Sequence, residues 1–216
     1  MEAKNLIVFD TETTNSIDDP IVYDCGWAVI NTGDWSVIKT ESYAVADVFL
    51  DSEMMASAYY AEKIPSYWDE IKNGNRKLAR LKTVKNALFN DVRAYGVTEI
   101  YAHNARFDYR SCTLTQRYLT CSKWRYFFPF GIKICDTLKM ARKLLAKNDE
   151  YGAFCYENGF MTANNQRKFT AEVLYRFISG QKEFEEVHKG LDDVMIEKEI
   201  LKYCVTHGVE NGALWE

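Results

Sequence analysis

The segment Leu6-Ile7-Val8-Phe9-Asp10 constrains the fold more than any other part of the chain. Four consecutive apolar residues without alternation require a strand covered on both faces, because a half-exposed strand would place every second side chain in water. Such strands belong to sheets with helices packed on both sides. This one runs into Asp10-Thr11-Glu12, where the two-residue spacing sends both acids to one face. Neighbouring carboxylates repel unless a cation or a proton lies between them. Alone, the pair is better explained as a solvated strand end, since exposed acids are the norm.

After a polar loop through Asp19-Pro20, Ile21 to Ile30 and Trp35 to Val45 are β-rich runs joined by Asn31-Thr32-Gly33-Asp34, which predicts a hairpin. Residues 47 to 95 carry helical patterns, with Val84, Ala87, Leu88, Val92 and Tyr95 at three- and four-residue spacing. A short strand over 99–102 leads into a helix starting near Arg106, its expected stripe being Phe107, Ser111, Leu114 and Tyr118. Ile132 to Cys135 reads as a strand and Asp136 as the N-cap of a helix carrying Leu138, Ala141 and Leu145 inward. Residues 149 to 168 are mostly polar and aromatic and show no usable period. Ala171 to Ile178 reads as a helix, Gln181 to Val187 as a connector, and Leu191 to His207 as a final helix with the stripe Asp193, Ile196, Ile200 and Cys204. Together these predict one α/β domain over residues 1–216, a mixed central sheet flanked by helices, with its site at the strands' C-terminal ends.

Composition narrows the partners. With 47% hydrophobic residues in 216, the chain can bury a substantial core, and only three prolines argue against disordered tracts. No apolar run approaches the ~20 residues that cross a bilayer, and the N-terminus lacks a signal-peptide core, so a cytoplasmic protein is expected. Six cysteines without a C-x-x-C pair make zinc sites and disulfides unexpected. A formal charge of −4 has the wrong sign for gripping long duplex DNA. A nucleic-acid partner therefore demands locally concentrated cations, or a site that meets only a short single-stranded end. The basic run Arg76 to Lys82 and the face formed by Lys139, Arg142, Lys143 and Lys147 are better explained as solvated helix surface. Arg106 and Arg110, flanking Asp108, are better placed to touch phosphate. The run Trp124 to Phe130 fits core packing better than base stacking.

Two further segments join the Asp-x-Glu pair. In His103-Asn104-Ala105-Arg106-Phe107-Asp108 a strand end passes into a helix, whose dipole keeps Asp108 ionised. In His188-Lys189-Gly190-Leu191-Asp192-Asp193, Gly190 lets the chain turn so that His188 on the loop lies above an aspartate of the first helical turn. Each alone has an ordinary structural explanation. Together, Asp10, Glu12, Asp108 and Asp193 make an oxygen donor set suited to two Mg²⁺ or Mn²⁺ ions, spaced ~3.5–4 Å for phosphodiester hydrolysis. His188 titrates near neutrality and suits a general base.

These motifs, in this order, resemble the three motifs of the DEDDh (DnaQ-like) 3′→5′ exonucleases, typified by the proofreading epsilon subunit of bacterial DNA polymerase III. The resemblance spans residues 5 to about 205 and includes Asp136-Thr137-Leu138 with Ala141-Arg142. It implies a ribonuclease H-like fold and metal binding by Asp10, Glu12 and Asp193, with Asp108 completing the second ion's shell largely through water. It also implies His188 as base and the release of nucleoside 5′-monophosphates. Lys189, where a sister branch has Tyr, places the chain in the histidine branch. Asp193 is favoured over Asp192 by the five-residue spacing from His188. The expected substrate contacts are Thr11, Thr13, Ile17, His103, Asn104, Arg106 and Phe107, with His103 on the substrate-side wall. One departure stands out. The family places Gly and a large apolar wedge after the first motif, where this chain has Asn15-Ser16-Ile17; Asn tolerates a positive φ, and Ile17 is the remaining candidate wedge.

The leading expectation is an exodeoxyribonuclease acting on single-stranded 3′ ends. An exoribonuclease resembling oligoribonuclease or RNase T, or a catalytically silent nucleic-acid-binding module, are the alternatives. The chain ends about ten residues after its last predicted helix, without the long extension that tethers an epsilon subunit to its polymerase. A free-standing, phage-encoded enzyme is therefore expected rather than one associated with a polymerase.

Overall fold

The computed structural model describes residues 4–58, 60–210 and 212–215. An antiparallel meander, β1 (Asn5–Thr14), β2 (Ile21–Asn31) and β3 (Val37–Val45), is followed by α1 (Ala46–Phe49), α2 (Ser52–Met55), α3 (Ile64–Lys72), β4 (Lys77–Ala79) and α4 (Leu81–Ala94). Then come β5 (Glu99–Ala102), α5 (Ala105–Leu119), β6 (Lys133–Asp136), α6 (Thr137–Leu145), α7 (Asp149–Glu157), α8 (Ala171–Ser179) and α9 (Gly190–Thr206). The six strands lie in the order β4-β3-β2-β1-β5-β6, with β1–β5, β5–β6 and β3–β4 parallel. The mixed sheet flanked by helices is the one the sequence predicts.

The apolar run of β1 explains the layering. Ile7 and Phe9 face one core with Leu88 of α4 and Cys112 of α5, while Leu6 and Val8 face a second core with Met140, Tyr151, Leu174 and Ile200 of α6 to α9. All four β1 residues are at most 2% exposed. At roughly 1.5–3 kcal/mol for each fully buried side chain, they pin the strand between two helical layers. Along the outer edge of β6, the amide of Asp136 donates to Gly212 O (2.7 Å) and the amide of Leu214 to Ile134 O (2.8 Å). This covers an otherwise unpaired strand edge.

Several local expectations need correction. The hairpin forms, but β2 runs on to Asn31 and β3 starts at Val37, because Trp35 takes φ +62° and Asn31 Oδ1 accepts from the Gly33 amide (2.7 Å). The short strand β4 lies inside a stretch read as helical; three residues carry no period, and only pairing with β3 makes them a strand. In α5 the buried residues are Ala105, Asp108, Ser111, Cys112, Thr113, Thr115 and Gln116, so the helix is rotated from the expected stripe and Tyr118 is exposed. Polar groups face inward because they have partners there: Thr115 Oγ1 accepts from the Val22 amide (2.9 Å). Residues 149 to 168 hold α7 and an antiparallel bridge between Met161 and Arg167. No helix among the described residues is long and apolar enough to cross a membrane.

Candidate active site

At the C-terminal end of β1 the register with β2 shifts between Glu12 and Thr13, leaving Tyr23 as an extra residue on β2. Such a bulge re-aims the side chains beside it. Alternation sends Asp10 and Glu12 to the α9 side of the sheet. Thr11 points the other way, where its hydroxyl donates to Asp108 Oδ1 of α5 (2.8 Å). That hydroxyl therefore orients an acid, a different task from the expected substrate contact. Asp108 is 3% exposed.

What brings Asp193 to β1 is a contact of two glycines. A Cβ on Gly26 of β2 would lie 2.4 Å from Leu191 N, and one on Gly190 would lie 2.8 Å from Gly26 N. The first turn of α9 thus rests on the sheet backbone with no room for a side chain. The turn expected at Gly190 is made by His188, which takes the positive φ of +53°. The Gly190 amide donates to Asp24 Oδ2 (3.1 Å), which also accepts from Tyr67 OH (2.7 Å). Asp193 is buried on this first turn, while Asp192 is exposed.

The His188 ring stacks on Tyr60 at 4.3 Å and an interplanar angle of 10°, and its Nδ1 lies 3.8 Å from Glu186 Oε2. Lys63 holds the preceding residue by donating to Val187 O, and its ammonium sits 4.4 Å from the centre of the Tyr60 ring. Glu12, His188 and Asp193 bring ligand atoms within 4.8 Å of one another. Burial raises the pKa of Asp10, Glu12, Asp108 and Asp193, and neighbouring carboxylates raise it further. Glu12 and Asp193 reach about 8 and Asp108 about 7. Desolvation, then the Lys63 charge, lowers His188 from its ordinary value. Two carboxylate oxygens, Asp193 Oδ1 and Glu197 Oε2, are buried without a hydrogen-bond partner. Orphaned oxygens in an all-carboxylate setting with one imidazole fit hard divalent cations.

Two cavities flank the acids. One of about 370 Å³ is lined by Glu12, Thr13, Ile17, Tyr60, Asn104 and Phe107. Asn15 adopts φ +67° as its residue type allows, Ser57 bonds both its amide and its side chain, and Ile17 is 75% exposed at the cavity edge. The other, about 450 Å³, includes Asp10, His103, Asn104, Glu186 and Glu197. His103 lines this wall, yet its two nitrogens bond Thr137 Oγ1 (2.9 Å) and Phe169 O (2.8 Å), so the ring braces α6. Asn104 takes φ +64° at the start of α5 and its amide donates to Asp136 Oδ1 (3.0 Å). Arg106 is exposed on α5, and Arg110 donates to Ile17 O. Arg76, in the run read as solvated surface, is instead 3% exposed and paired with Asp24.

No protein-family model and no curated protein sequence matches the chain. Solved structures do. The nuclease domain of 3′hExo, a DEDDh family member bound to rAMP, superposes with a TM-score of 0.69 at 10% identity over 100% of this chain and 98% of that one. The chain shares the fold of that nuclease domain. Exonuclease X in complex with 5′ overhanging duplex DNA gives 0.54 at 17% identity, covering 96% and 97% of the two chains. A zinc-bound E. coli ExoI–ssDNA complex gives 0.62 at 14% identity, over 95% of this chain but 41% of that one.

Within this fold, the residues that sequence patterns did not single out are Glu197 and Glu186. Glu197 is 2% exposed, one turn beyond Asp193, and is first among the charges that raise Asp10's pKa. The four-residue spacing on α9 was the available signal, hidden because Glu197 stands in an ordinary-looking Ile-Glu-Lys-Glu stretch. Glu186 comes from a loop with no period at all. Also missed was Gly26, whose role exists only once α9 lies against β2.

Proposed function

We propose that the chain is a metal-dependent 3′→5′ exonuclease that removes nucleoside 5′-monophosphates from single-stranded 3′ ends. The observation that carries this reading is that Asp10, Glu12, Asp108, Asp193 and His188 come from three distant segments yet meet at one strand end. A likeness to structures bound to rAMP and to ssDNA supports it.

Asp10, Glu12 and Asp193 would hold two Mg²⁺ or Mn²⁺ ions, with Asp108 completing the set. When bound, such ions polarise the phosphate and ease deprotonation of water. His188, its pKa lowered, stays neutral at pH 7 and accepts the proton of the attacking water. Tyr60 holds the ring by stacking, and Glu186, 3.8 Å from Nδ1, would stabilise the imidazolium that results. As the water oxygen bonds to phosphorus, the bond to the preceding 3′ oxygen breaks, and that oxygen takes up a proton. The 370 Å³ cavity takes the terminal nucleotide, with Tyr60, Phe107 and Ile17 against the base and Thr13 and Asn104 near its sugar and phosphate. Asp108 is oriented by Thr11, so the metal site is prepared from both faces of the sheet.

Matched single-stranded DNA and RNA, labelled at either end, test this with Mg²⁺ and Asp193→Ala as control. Mononucleotide release from the 3′ end, absent in the variant, is expected. Nucleic-acid binding without metal-dependent turnover on either substrate defeats the proposal and points to a silent binding module. Faster turnover of RNA reassigns the substrate.

A further inference from the structure

Granting the exonuclease reading, the strand behind the terminal nucleotide has to leave the site, and one route is marked. On α5, Arg106, Arg110 and Arg117 are exposed, and at 3.6 residues per turn they fall within about 40° of one another. The first two flank Asp108; the third, about 16 Å from Arg106 along the axis, borders a basin at the far end of the helix. That basin, about 680 Å³, includes Arg117, Lys123, Trp124, Arg125, Tyr126 and Phe130 and, among the described residues, no carboxylate, in a chain whose formal charge is −4.

Its aromatic rings are unusually open: Trp124 is 48% exposed, Tyr126 50%, Phe130 92% and Trp215 57%. The neighbouring Phe127 and Phe128 are at most 4% exposed, so the run splits into core residues and residues held in solvent. Two of the open ones, Tyr126 and Trp215, are anchored. Lys85 Nζ donates to Tyr126 O (2.6 Å), Tyr109 stacks on Phe128 (5.7 Å), and Trp215 meets Tyr109 edge-on (4.6 Å). Exposed aromatics interleaved with Arg and Lys are what a single strand needs, with stacking for bases and cations for phosphates.

We propose that single-stranded nucleic acid leaving the acids follows the α5 arginine stripe and stacks its bases in this basin, a second binding site remote from the chemistry. Stacked at about 3.4 Å per nucleotide, the span from Arg106 to Arg117 takes about five nucleotides. Affinity then steps upward once the strand is longer than that.

The test is fluorescence anisotropy of 5′-labelled oligonucleotides in EDTA, where no turnover is needed. Strands of about twelve nucleotides are expected to bind at least tenfold more tightly than strands of about three, and Trp124→Ala with Phe130→Ala removes about tenfold of the long-strand affinity while changing the short strand less than twofold. Arg117→Glu with Arg125→Glu, at exposed positions that do not threaten folding, lowers the salt slope of long-strand binding by roughly 0.7 per lost phosphate contact. No step with length, or equal losses on both lengths in both variants, overturns the proposal, as does self-association abolished by these variants with long-strand affinity unchanged. Because binding is read without metal, a chain that shows the step but hydrolyses nothing refutes the exonuclease reading alone.

Discussion

Two groups of buried charge adjoin the junction of α9 and β2, and they are built oppositely. Around Asp24, every charge is answered. Arg76 pairs with Asp24 and with Glu70 (2.8 Å), Lys189 pairs with Glu70, Tyr67 donates to Asp24, and the guanidinium lies 4.2 Å from the centre of the Tyr67 ring. Across the junction, Asp10, Glu12, Asp108, Asp193 and Glu197 lie close together, and burial with repulsion from neighbouring carboxylates raises the pKa of each. A folded protein keeps the first arrangement for its own stability. It keeps the second only if something positive arrives from outside.

The comparison can be broken on the functional side first. Asp193→Ala should lower turnover by about 10²–10³-fold, the scale of losing direct charge stabilisation in the transition state, while the metal-free variant melts no lower than the parent. Steady-state digestion and thermal melts in EDTA read both, and a large drop in melting temperature would count against the contrast drawn above. Next comes Arg76→Met on the structural side. It leaves Asp24 buried without its cation, so a loss of about 3–5 kcal/mol is expected in urea unfolding, with turnover per folded molecule retained.

Gly26→Ala addresses the junction itself. Its methyl would lie 2.4 Å from Leu191 N, which is backbone and cannot swing aside. A cost of about 1–3 kcal/mol is expected from overpacking, with a disproportionate fall in kcat because α9 carries Asp193. An equal loss in a distant overpacking variant would show that only stability was read.

The smallest effect is on pH. Glu12 and Asp193 have folded-state pKa values of about 8 against ordinary values of 4.5 and 3.8. The folded state therefore binds more protons than the unfolded one between those limits, so metal-free stability falls as pH rises from about 4 to about 8. Melting temperature in EDTA should be higher near pH 5.5 than near pH 8.5, with Mg²⁺ narrowing the gap by binding the ionised acids. A melting temperature that climbs with pH in EDTA would contradict this.

Much of the molecule was legible in the chain because local patterns and long-range packing agree there. The unbroken Leu6 to Phe9 run predicts a strand buried on both faces, Asp136 caps α6 with Oδ1 accepting from the Leu138 amide (2.9 Å), and the Asp193, Ile196, Ile200 and Cys204 stripe faces inward. Where context rules, the pattern misleads. β4 exists only through its partner β3, and α5 turns a polar face inward because Thr11 and the Val22 amide await it.

The sequence by itself determined the layered sheet and which acids end its strands, since hydrophobic period and residue spacing are local properties of the chain. Only the tertiary structure decided that Arg76 belongs to the interior, that Glu197 joins the acids, and that Gly26 and Gly190 exist to let a helix lie on a sheet. Those assignments depend on which distant surfaces meet. A carboxylate becomes part of a site, and a glycine becomes necessary, through neighbours that stand, as Gly26 and Gly190 do, more than a hundred residues apart in the chain.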